Sequence, residues 1–135
     1  MSTLSSAQFA RQTRVEGGAS RSLHDSSVPE HGYAVGGLIP EEQVRSKTFN
    51  AAKVDAHKDH ILKSPVAGHV ATHQGSWIDP DQPKAVILDA SSIHASKASA
   101  RLNGLVRGEK AIYDLNAGKD INLPHKSRGS KVYSS

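Results

Sequence analysis

The run Lys84-Ala-Val-Ile-Leu-Asp89 constrains this chain most. It is the longest apolar run, and it follows Asp79-Pro80-Asp81-Gln82-Pro83, whose Pro and Asp residues favour a tight reversal. Before the turn, His69 to Ile78 reads as a strand with alternating faces. Val70, Thr72, Gln74, Ser76 and Ile78 fall on one side, and His69, Ala71, His73, Gly75 and Trp77 on the other. Two strands joined by such a turn make a hairpin. A second strand apolar on both faces belongs in the middle of a sheet.

Helical signals flank this hairpin. Asn50 or Thr48 is a fair N-cap, and Ala51, Val54, Lys58, Ile61 and Leu62 fall near one face of a helix that ends at Ser64-Pro65. Asp55, His57, Asp59 and His60 fall on the other face, which reads as solvated. A second helix is expected from Asp89 onward, with Ser91 or Ser92 as its N-cap and Gly108 as its stop. Its apolar stripe is Ile93, Ala98, Leu102, Leu105 and Val106. Tyr33 and Val35 suggest a short strand, as does Lys110 to Leu115. Asn116-Ala-Gly118-Lys119 turns the chain into a short return strand ending at Leu123. The predicted class is α+β, a mostly antiparallel sheet with two helices on one face in the order β-α-β-β-α-β.

The predicted core domain spans residues 32–123, because the apolar residues concentrate there. Residues 1–31 show no regular apolar period and read as an extended or disordered arm. Phe9, Arg11, Arg14 and Arg21 are its candidate contacts with a neighbouring subunit or nucleic acid. Residues 124–135 form a basic tail whose Lys126, Arg128 and Lys131 could meet phosphates or an acidic neighbour. The formal charge of +4 favours anionic partners. Without cysteine there is neither a disulfide framework nor thiolate chemistry. With no apolar run long enough for a membrane span and no leader-like N-terminus, no membrane contact is expected.

No residue cluster carries a catalytic signature. Asp89, Ser91, Ser92 and His94 are triad residue types, but they are neighbours in sequence and lack a Gly-x-Ser-x-Gly elbow. His57 and His60 lie three apart without the Glu of a His-Glu-x-x-His metal motif. Gly36-Gly37 lacks the Gly-Lys-Ser/Thr continuation of a phosphate loop. No metal or cofactor is expected. His69, His73 and Trp77 share a strand face that could stack bases, forming a possible surface patch.

Several stretches resemble small uncharacterised proteins of bacteriophages and prophages, notably of actinobacterial hosts. They are Gly32-Tyr-Ala-Val-Gly36, Gly75-Ser-Trp-Ile-Asp79, Val86-Ile-Leu-Asp89, Ala100 with Leu102, and Ala111-Ile-Tyr-Asp-Leu-Asn-Ala-Gly-Lys-Asp-Ile121. The resemblance spans about residues 32–123 and transfers no catalytic residue. This chain departs from the pattern at Ile87, where Tyr is frequent. The resemblance implies a non-enzymatic structural or interaction protein, in a virion or the host cytoplasm. It would join other protein subunits of an assembly through its arm and tail. The alternative is a nucleic-acid-binding accessory protein using the basic tail and the His69/His73/Trp77 face. A third reading, a small hydrolase or toxin, requires several of His57, His60, His69, His73 and His94 to converge.

Overall fold

The computed structural model describes residues 2–65 and 67–124. In chain order the elements are α1 (Ser6–Glu16), β1 (Gly18–Ser22), β2 (Tyr33–Val35), β3 (Glu42–Arg45), a 3-10 turn (Ser46–Thr48), α2 (Ala51–Lys63) and α3 (Ala67–Val70). Then follow β4 (His73–Ile78), β5 (Ala85–His94), α4 (Lys97–Arg107), β6 (Ala111–Asp114) and β7 (Lys119–Asn122). The class is α+β with antiparallel pairing, as expected. Three of its helices have eleven residues or more. The chain forms two compact units rather than a single core over 32–123. Unit 1 comprises Met1–Pro29 and Leu38–Ser92; unit 2 comprises Glu30–Gly37 and Ile93–Ser135.

Unit 1 is built on the expected hairpin. β4 pairs β5 from His73↔Ser91 to Ile78↔Val86, β1 adds to the free edge of β4, and β3 adds to the other edge of β5. The turn is closed by Asp79, whose carboxylate accepts from the Asp81 amide at 2.9 Å. β5 is central in this sheet, and Val86, Ile87 and Leu88 are all buried. α1 and α2 cover one face, where Phe9, Ala10, Phe49, Val54, Val86 and Leu88 form the main core cluster.

Residues 1–31 are not an extended arm, because they supply α1 and β1 to this unit. The local signals are short-range. Ser5 and Gln8 form a reciprocal capping box, and Gly17 ends the helix in the left-handed region at φ 89°. Few apolar side chains suffice, because Phe9 and Ala10 are both fully enclosed. Polar contacts fasten the helix: the Thr13 hydroxyl lies 2.6 Å from that of Ser76, and Ser6 donates to Asp55.

Asp89 to His94 is also a departure. This stretch continues β5 rather than starting a helix, because pairing with β4 satisfies its backbone as far as Ser91. The N-cap of α4 is Ser96, whose hydroxyl accepts from the Ser99 amide at 3.1 Å. Pairing between distant segments here outweighs a local capping preference.

Unit 2 is a three-stranded sheet, β2–β6–β7, with α4 packed on it. Its core is Val35, Ala100, Ile112 and Leu123. The predicted turn between β6 and β7 is present. Asp114 accepts from the amides of Asn116 and Ala117, and Gly118 has φ 70°. At the C-terminus of α4, the Arg107 guanidinium donates to the carbonyls of Val35 (2.9 Å) and Gly36 (3.1 Å), tying the helix to β2.

Candidate interaction surface

α4 has two faces that could meet the sheet of unit 2, and it buries the smaller one. Ala100 and Gly104, one turn apart, are enclosed. A Cβ on Gly104 would come within 2.5 Å of Leu123 Cδ1 and 2.9 Å of Ile112 Cγ2. The helix therefore sits closer than any other residue at 104 would permit. Helix spacing then turns Ala98, Leu102, Leu105 and Val106 away from the sheet. Leu102 is 63% exposed, Leu105 42% and Val106 79%.

This reverses the sequence expectation for the stripe. Leu102, Leu105 and Val106 are not core residues; they form a solvent-facing apolar ridge. The pair of small residues at 100 and 104 was the signal that could have found it. Lys97 and Arg101 run along one border of the ridge by helical spacing, and Ser99 and Asn103 along the other. α4 contains no carboxylate. The nearest one in sequence, Glu109, lies over Gly37.

The expected arm residues lie elsewhere. Phe9 is fully buried in unit 1, so it is a core residue and not a contact for a partner. Arg21 is 3% exposed and therefore also internal. Its Nε donates to Gln74 Oε1 at 3.1 Å, one of its terminal nitrogens to Leu4 O at 3.2 Å, and its guanidinium stacks over the Phe9 ring at 5.4 Å. Burial lowers the Arg21 pKa, while Asp55 opposes the shift. Arg14 remains exposed but donates to Phe49 O at 2.6 Å, and Arg11 is exposed on α1. Lys126, Arg128 and Lys131 lie outside the described residues.

Two members of the expected patch lie on one strand. His73 and Trp77 do share a face of β4, opposite Gln74 and Ser76, and Trp77 is 42% exposed. His69 belongs to α3, not to the strand. Burial pushes the His73 pKa down, and Asp25 pulls it back.

His57, expected on a solvated face, is 1% exposed beneath the unit 1 sheet. α2 presents Val54, His57 and Ile61 inward, leaving Leu62 half exposed. Gln74 selects that face: its amide nitrogen donates to Val54 O and to His57 Nδ1, both at 2.9 Å. His57 Nε2 has no hydrogen-bond partner among the described residues. Desolvation, with His60 adding repulsion, lowers the His57 pKa to about 4. His73 lies on the opposite face of the same sheet. His31 and His94 belong to unit 2, at an open depression with Gly32, Ile93, Ala95 and Asn116. There His31 Nδ1 lies 3.3 Å from Asn116 Oδ1, and His94 Nδ1 lies 3.1 Å from Ser99 Oγ. Burial, then Arg107, lowers the His94 pKa.

Among the described residues no group of three or more His, Cys, Asp or Glu could hold a metal ion. Among them, too, no helix is long and apolar enough to cross a membrane. The chain matches no protein-family model, no curated protein and no solved structure.

Proposed function

We propose that this protein is a non-catalytic interaction module that docks on another protein subunit of a larger assembly through the outer face of α4. The observation that carries this reading is the exposed ridge Leu102, Leu105 and Val106, on a helix already anchored by Ala100, Gly104 and Arg107. Scattered single apolar residues on a surface need no explanation, but three aligned on one rigid helix face form a patch of the kind that marks interfaces. The resemblance to phage proteins agrees with a role in an assembly such as a virion. With α1 and β1 folded into unit 1, α4 takes the attachment role expected of the arm.

The test compares affinity capture by the full chain with capture by a Leu102→Ser/Val106→Ser variant. The expected result is a partner that is retained by the native chain, lost by the variant, and rebound from purified components. An identical set of retained proteins would refute the reading. A second reading, contact with single-stranded nucleic acid, is favoured by the exposed Trp77 beside His73 on one strand face. Trp77→Ala would then weaken a salt-sensitive binding that the α4 variant leaves intact.

A further inference from the structure

Resting on that reading, we infer that the partner of α4 is an acidic amphipathic helix, its apolar stripe on Leu102, Leu105 and Val106 and its carboxylates opposite Lys97 and Arg101. Ala98, Leu102 and Val106 stand four residues apart, forming one row about 12 Å long. Such a row fits the groove between two rows of a second helix. Ala98 is small, which permits close approach at the N-terminal end.

The next row, Lys97, Arg101 and Leu105, places two positive charges beside the N-terminal half of the ridge before Leu105 completes it. No carboxylate on α4 balances them. Complementary charge selects the partner and sets the register, because a like charge placed opposite is costly. The same argument disfavours a second copy, whose two-fold pairing would bring two helices together that each carry cations and no carboxylate. An anionic bilayer is a poorer occupant. The ridge has three large apolar side chains and no aromatic one, whereas interfacial helices present a broader, often aromatic face.

The probes are three synthetic helical peptides with one common leucine stripe, flanked by Glu, by Gln or by Lys. Binding to the full chain is read by fluorescence anisotropy. The Glu peptide is expected to bind about tenfold more tightly than the Lys peptide, a preference that shrinks between about 0.05 M and about 0.5 M salt. Lys97→Glu/Arg101→Glu should invert the preference, and Leu102→Ser/Val106→Ser should abolish binding of all three. None of the four substituted side chains is buried, so circular dichroism should show the variants folded.

Equal binding of the three peptides overturns the acidic partner but leaves the ridge as a docking face. Equal binding of the Glu peptide to the native chain and the serine variant overturns both. Failure of the Glu peptide to bind overturns the acidic partner. A concentration-dependent dimer in sedimentation, or binding to phosphatidylglycerol vesicles, overturns it too if the serine variant removes that behaviour. The occupant is then a second copy or a membrane surface.

Discussion

His57 makes unit 1 acid-sensitive. Its imidazole is 1% exposed, and Gln74 already donates to Nδ1. Protonating Nδ1 would set two donors against each other, and Nε2 has no acceptor among the described residues. Desolvation, with His60 adding repulsion, favours the neutral ring, and the pKa falls from 6.5 to about 4. In the unfolded chain the ring titrates near its ordinary value. As pH drops below 6.5 the unfolded state takes up the proton first, so stability falls with pH, and the loss is complete below about pH 4. That fall corresponds to about 3 kcal/mol. Urea unfolding of the native chain and of His57→Leu across this range tests it. Leu fills a similar volume, and the Gln74 amide keeps Val54 O. The two stabilities should lie within about 1 kcal/mol near neutral pH, with the native chain losing about 3 kcal/mol more by pH 4. Parallel pH profiles would refute the reasoning, as would an NMR titration of His57 at its ordinary value.

The other expectations concern packing. Gly104→Ala should lower stability by about 1–3 kcal/mol in thermal melts, although alanine favours helix by about 1 kcal/mol, because its Cβ meets Leu123 and Ile112. Phe9→Ala should cost about 3–5 kcal/mol in urea unfolding, where a disordered arm would cost almost nothing. Leu102→Ser/Val106→Ser should change stability by less than about 0.5 kcal/mol per site; a core stripe would lose several times that. Removing the Arg21 side chain as Arg21→Ala should cost at least about 1–3 kcal/mol, since it strips Gln74 Oε1 of its buried donor.

Where information is local, the chain declares itself. The Asp79–Pro83 turn, the apolar run through Val86 to Leu88, an N-cap at Asn50, Gly108 and the turn through Asn116 to Gly118 each act within a few residues, and each appears where the sequence places it. Ser5, Gln8 and Gly17 were equally local. They start and stop a helix in a stretch whose sparse apolar residues suggest an arm. Three decisions belong to tertiary structure alone. Ser91 stays in a strand because β4 pairs with it. His57 turns inward because Gln74, seventeen residues away, meets it. The α4 ridge turns outward because Ile112 and Leu123 accept only the small face of Ala100 and Gly104. Periodicity states that a helix has an apolar side. Which side is buried depends on the shape of what it meets, and that shape is made by residues far along the chain.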